Sequence, residues 1–167
     1  MTELPGLDLD RLTRYLERAV PGLLAGPVRA ALLPGGRSNL TYAVTDGRSR
    51  WVLRRPPLGH VLATAHDMGR EYRVLAALAP TGVPVPEVVH HCPDPAVLGV
   101  PFYLMRQVSG RVYREPAELA GWAPAAVRAL ALTLVDILAD LHAVDPAGVG
   151  LGDFGRPAGF AARQVRR

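Results

Sequence analysis

Residues 28–55 hold two tight-turn signals that leave little freedom in how this part of the chain can fold. Gly35-Gly36 turns the chain once and Asp46-Gly47, a strong hairpin dipeptide, turns it again. Between the turns Leu40, Tyr42 and Val44 alternate with small or polar residues, the pattern of a half-buried strand. Residues 28–33 before the first turn and 50–54 after the second are also strand-like, and Pro56-Pro57 must end the last strand. Strands joined by such short turns lie antiparallel, because parallel neighbours need a long crossover.

The rest of the chain arranges itself around this meander. Leu9, Leu12, Leu16 and Ala19 recur at helical spacing, which predicts a helix over residues 8–20 with Asp8 as its cap and Pro21-Gly22 as its end. Met68, Tyr72, Leu75 and Leu78 predict an amphipathic helix over 64–79. A proline-rich loop at 81–86 follows, then two antiparallel strands over 88–92 and 101–108, joined by a turn at 93–99. Beyond Ser109-Gly110 the composition becomes helical. A short helix is expected over 115–121 with Pro116 in its first turn. The longest periodic segment, 124–142, has Val127, Leu130, Leu134, Ile137, Leu138 and Leu141 on its apolar side. Residues 145–159 read as loop. The expected class is α+β: a five-stranded, mostly antiparallel sheet with helices over residues 1–108, then a linker and the start of a helical region over 109–167.

Composition narrows the function classes. With 167 residues, 49% hydrophobic and 20% charged, the chain is globular. No apolar run approaches the roughly 20 residues that span a bilayer, and no secretory leader is visible at the N-terminus. The lone cysteine, Cys92, excludes an internal disulfide and fits a reducing cytoplasm. A formal charge of +4 permits an acidic partner. The arginines are scattered, however, and no aromatic residues interleave with them, so nucleic acid is not the expected partner.

Three constellations carry chemistry. Gly35 and Gly36 let backbone amides approach phosphate oxygens without side-chain clash, and Ser38 and Asn39 add donors. Taken alone, that turn is better explained as an ordinary glycine hairpin. The strand 51–55 ends in Arg54-Arg55, which alternation sends to opposite faces. Kinases place a cation here and orient it with a helix glutamate. Arg54 is the choice, since Trp51 and Leu53 share the other face, and Glu71 is its candidate partner. Each is otherwise an ordinary surface charge, worth little. Third, the strand 102–108 runs into Ser109-Gly110. Met105 could lie beside a purine while Arg106 and Val108 offer backbone contacts, though a core strand with a buried methionine explains it as well.

Together these residues resemble the aminoglycoside phosphotransferase and choline kinase superfamily, in particular the phosphotransferase-like proteins related to the kinase-like part of certain acyl-CoA dehydrogenases. The resemblance is carried by Gly-Gly-Arg-Ser-Asn-Leu-Thr-Tyr at 35–42, Trp-Val-Leu-Arg-Arg-Pro-Pro at 51–57, Arg-Glu-Tyr-Arg-Val-Leu at 70–75, Val-Pro-Val-Pro at 83–86 and Phe-Tyr-Leu-Met at 102–105. Leu-His-Ala-Val-Asp at 141–145 and Gly-Leu-Gly-Asp-Phe-Gly-Arg-Pro at 150–157 add to it, so nearly the whole chain is covered. It implies a kinase-like small lobe followed by the first helices of the large lobe. It implies ATP and magnesium, with a small-molecule hydroxyl as acceptor. Gly35, Gly36, Arg37, Ser38 and Asn39 would cover the phosphates, Arg54 would stand where most kinases have lysine, and Glu71 would be its ion-pair partner. Met105, Arg106 and Val108 would line the adenine, Arg106 replacing the acidic residue often found there. A planar fork instead of a point charge is a physical change at position 54.

In the family's order the His-Gly-Asp catalytic loop, its following Asn and a later magnesium-binding Asp come after the region matched here. No catalytic residue or metal ligand is therefore expected in these 167 residues, and the chain alone is expected to be inactive or nearly so. Asp153-Phe154-Gly155 spells the kinase metal-binding tripeptide but directly follows the long helix with no catalytic loop before it, so it reads as a turn. His90-His91-Cys92 invites a zinc reading, yet neighbours on a strand point to opposite sides and no second ligand pair exists. The alternative function is a non-catalytic kinase-like binding module, or half of a split protein completed by another chain.

Overall fold

The computed structural model describes residues 4–34, 39–59, 67–155, 159 and 165. They fall into two compact units, one made of Met1–Ala76 with Pro86–Ser109, the other of Ala77–Val85 with Gly110–Arg167.

The first unit opens with helix α1, Leu9–Ala19, whose N-terminus is capped by the Asp8 carboxylate accepting the Arg11 N–H at 2.9 Å. Strands β1 (Arg29–Leu32), β2 (Leu40–Thr45) and β3 (Arg50–Arg55) form the expected meander. Helix α2 covers Met68–Leu78, followed by β4 (Val88–Cys92), a four-residue helix α3 (Pro95–Leu98) and β5 (Phe102–Arg106). The sheet order is β1-β2-β3-β5-β4 and every pairing is antiparallel. The class is thus α+β with a five-stranded antiparallel sheet. The turn expected at 93–99 holds α3 instead: Asp94 accepts the Ala96 N–H at 2.8 Å and Pro95 takes the first helical position, a cap signal on so short a scale that it reads as a plain turn.

Register decides what each face of the sheet carries. Tyr42 pairs with Leu53, and Leu53 with Leu104, so Tyr42, Val44, Trp51, Leu53, Phe102 and Leu104 share one face. Leu12 and Leu16 of α1 pack there, and all of these residues are fully buried or nearly so. Burial of each large side chain stabilises by about 1.5–3 kcal/mol.

Arg55 belongs to this apolar face too. It is 4% exposed and donates to the carbonyls of Gly6, Leu98 and Pro56, with no carboxylate in the set. Burial pulls its pKa below the usual arginine value. Gly6 has φ +70°, and a Cβ there would lie 2.6 Å from Arg55 Nη1, so the N-terminal turn can close over the arginine only with glycine. Tyr42 adds a hydrogen bond from its hydroxyl to the Pro5 carbonyl. Sequence alone marked Arg55 only as the arginine facing away from Arg54.

The second unit contains a short 3-10 helix, Pro116–Leu119, within the short helix expected over 115–121, and the twenty-residue α4, Pro124–Ala143. Glu118 ties residues 111–118 together: its carboxylate accepts the Arg114 and Glu115 N–H groups and lies 3.6 Å from Arg111. No residue of α4 is buried. Of its expected apolar side, Val127, Leu130 and Ile137 are half-buried, whereas Leu134, Leu138 and Leu141 are exposed. Leu132 and Val135, off that stripe, are exposed as well, so α4 is apolar nearly all round.

Candidate functional site

The site lies on the sheet face opposite α1. Strand parity puts Thr41 of β2, Val52 and Arg54 of β3, and Tyr103 and Met105 of β5 on that face, and Arg54 stands directly between Thr41 and Tyr103 in the register. Asn39 has the same parity, one residue before β2 begins. Helix α2 covers this face. Its start is fixed by Asp67, whose carboxylate accepts the Arg70 N–H at 3.0 Å and whose carbonyl accepts the Glu71 N–H at 3.2 Å. Tyr72 stacks on His91 with ring centroids 5.3 Å apart and meets Tyr103 edge-on at 6.4 Å.

These contacts bring the Glu71 carboxylate over Arg54. Glu71 Oε2 lies 3.4 Å from Arg54 Nε, close enough for an ion pair, although Nε lacks hydrogen-bond alignment. Tyr103 donates its hydroxyl to the same oxygen at 3.0 Å, and Asn39 donates its amide to Oε1 at 2.9 Å. Tyr103 is 1% exposed, and that burial raises its pKa, with the Arg54 charge opposing the rise. It therefore stays a phenol and keeps its proton to donate. Both side chains of the ion pair are one-third exposed. A pair this wet adds at most about 1 kcal/mol to stability. Its chemical value is the fixed, partly open guanidinium fork, which suits an anion with several oxygens.

Of the residues singled out from sequence, Asn39, Arg54 and Glu71 meet at this carboxylate. Gly35, Gly36, Arg37 and Ser38 lie outside the described residues. Met105 is half-buried opposite Val52 and Val88. Arg106 is exposed, 3.9 Å from Glu87, and its backbone N–H donates to the Glu87 carbonyl at 2.7 Å. Val108 is 68% exposed. Tyr103 was not singled out. Its signal is its place opposite Arg54, which depends on a strand register between segments about fifty residues apart in sequence.

The two other motifs are placed as follows. His90 Nε2 meets the Tyr15 hydroxyl at 2.8 Å on the α1 side, while His91 faces Tyr72 on the α2 side. Burial lowers both imidazole pKa values, so both favour the neutral form. Cys92 is fully buried. Asp153 and Phe154 lie in a turn, with the Phe154 N–H donating to the Leu151 carbonyl at 2.9 Å. Among the described residues no group of three or more His, Cys, Asp or Glu could hold a metal ion, and no helix is long and apolar enough to cross a membrane.

Comparison with known proteins matches this chain to a family. A model described as the phosphotransferase enzyme family matches residues 29–167. Acyl-CoA dehydrogenase family member 11 of Gallus gallus is 40% identical over 161 residues, spanning 95% of this chain and 20% of its own length. Acyl-CoA dehydrogenase family member 10 of Mus musculus is 36% identical over 157 residues, spanning 94% of this chain and 15% of its own. A crystal structure from Ralstonia eutropha, assigned as an aminoglycoside phosphotransferase, superposes with a TM-score of 0.79 at 35% identity, covering 96% of this chain and 45% of that one. The chain thus spans about a fifth or less of these two curated relatives and under half of the solved structure.

Proposed function

The chain belongs to the phosphotransferase enzyme family, and from that premise we propose that its first unit holds the phosphates of ATP for transfer to a small-molecule hydroxyl by a longer protein. The observation that carries this reading is the partly exposed Arg54–Glu71 pair on the sheet face that α2 covers. Phosphoryl transfer asks the protein mainly for positioning and charge neutralisation. Arg54 supplies a delocalised positive charge in a planar fork, and Glu71 keeps that fork from swinging into solvent. Gly35 and Gly36, with Arg37 and Ser38, would close over the phosphates from the turn. The adenine would lie along Met105, with Val108 rather than Arg106 offering a backbone amide, because the Arg106 amide is already bonded to Glu87.

Magnesium does not fit the described residues, which hold no oxygen-rich ligand set, so its ligands are assigned to the remainder of a longer protein. The fully buried free thiol of Cys92 suits a reducing, cytoplasmic setting. One observation favours the second reading, a binding module or half of a split protein: α4 exposes Leu132, Leu134, Val135 and Leu138, a surface that a further polypeptide would cover.

Calorimetric titration of the chain with ATP and with adenosine tests the first reading. ATP is expected to bind more tightly than adenosine, and Arg54→Ala to remove about tenfold of ATP affinity while leaving adenosine unchanged. Equal binding of ATP and adenosine, or an Arg54→Ala variant indistinguishable from wild type, would overturn it.

A further inference from the structure

Glu71 is held on more sides than an ion-pair partner needs. It sits in the first turn of α2, one-third exposed, where a glutamate normally samples several rotamers and pairs loosely. Here a phenol and an amide, both almost fully buried, reach the carboxylate from two different strands' worth of chain. Tyr103 comes from the middle of β5 and Asn39 from the entrance to β2, and between them they bond both carboxylate oxygens.

We propose that Tyr103 and Asn39 are positioning residues for the phosphate-facing cation: they lock the Glu71 carboxylate, which sets the direction of the Arg54 fork. The inference rests on the nucleotide-binding reading above. Three features support it. Tyr103 is registered directly opposite Arg54, so its hydroxyl and the guanidinium converge on one oxygen, Oε2. Arg54 Nε lies 3.4 Å from that oxygen without hydrogen-bond alignment, whereas the Tyr103 and Asn39 bonds to the carboxylate are aligned. Asn39, at the entrance to β2, bonds the other oxygen, Oε1, at 2.9 Å. The entrance to β2, the cation and the helix are thereby referenced to a single group. Asn39, read from sequence as a donor beside the glycines, donates its amide to Glu71 in this structure.

A purely structural role for Tyr103 makes a different prediction, because phenylalanine would fill the same space. Tyr103→Phe removes only the hydroxyl. It is expected to weaken ATP binding about three- to tenfold and leave adenosine binding unchanged, the loss of one hydrogen bond to a charged group. Asn39→Ala is expected to act in the same direction. In a Glu71→Ala background Tyr103→Phe should have no further effect on the ATP-to-adenosine ratio, since the acceptor it positions is gone. A readout free of nucleotide accompanies this: the Arg54 Nε–H resonance in an NMR spectrum should shift on Tyr103→Phe.

If Arg54→Ala loses ATP affinity while Tyr103→Phe and Asn39→Ala keep it, the positioning role is wrong and the nucleotide site stands. If Tyr103→Phe weakens ATP and adenosine equally, the hydroxyl is structural and the inference falls. An unmoved Arg54 resonance also overturns it. A wild-type chain that binds no nucleotide overturns the nucleotide-binding reading itself, and the inference with it.

Discussion

Arg54 and Arg55 are adjacent in sequence and live on opposite faces of one sheet. Arg55 is sealed among apolar side chains and bonded to the carbonyls of Gly6, Leu98 and Pro56. Arg54 is one-third exposed, beside the carboxylate of Glu71. The same guanidinium is a staple on one side and an open cation on the other. A buried arginine bonded to fixed carbonyls cannot move without leaving those carbonyls unsatisfied, so it stabilises the fold. A half-wet arginine beside a carboxylate contributes little to the fold and keeps its charge available for a ligand. Strand parity alone thus separates the buried guanidinium from the partly exposed one.

Four measurements press on that contrast. The largest effect is expected for Arg55→Ala, which removes three hydrogen-bonded contacts and opens a cavity, at a cost of about 3 kcal/mol in urea denaturation. A loss no greater than that of Arg54→Ala would break the contrast. Next is Gly6→Ala, which forces a Cβ against Arg55 at a positive φ and should cost about 2 kcal/mol. That measurement reports whether the turn over Arg55, rather than the arginine alone, carries the stability.

Arg54→Ala should cost less than about 1 kcal/mol, even though it is expected to lower ATP affinity about tenfold. The smallest effect appears only in acid, at the hairpin that sets the parity of β3. Asp46 accepts N–H bonds from Ser49, Ala25 and Arg48, and these, Ser49 most of all, hold its carboxyl at about 2 against the ordinary 3.8. Its folded value is depressed, so its contribution is complete above pH 3.8 and is lost as the pH falls toward 2. Thermal midpoints taken across that window should fall more steeply for wild type than for Asp46→Asn. Parallel curves would remove Asp46 as the hairpin's anchor.

The two units of the chain teach a related lesson. In the first, alternation at Tyr42, Val44, Trp51 and Leu53 was legible in the sequence and every one of these residues is buried. In the second, helical spacing over residues 124–142 was equally legible, and α4 forms as read, but none of its residues is buried. Periodicity identifies the element and the side it would bury. Whether that side is covered depends on what stands next to it, and spacing carries no record of a neighbour. A four-residue helix such as α3 fails for the opposite reason: it has too few turns to show any period.

For the candidate site the division is finer. Arg54 and Glu71 were legible as a pair because parity and helical spacing are local rules, and the structure brings them within 3.4 Å. Tyr103 was not, nor was the hydrogen bond from Asn39 to Glu71. Both depend on how separated segments meet.

Sequence by itself determined the meander of β1 to β3, the helices on either side of it and the opposite facing of Arg54 and Arg55, since each follows from torsional preference and side-chain alternation within a few residues. Only the tertiary structure decided that Arg55 is roofed by Gly6 and Leu98, and that Tyr103 and Asn39 close on Glu71. Those contacts join residues 32 to 49 positions apart. They exist only once strand register and helix docking have been chosen, and that choice is made by packing the whole unit at once.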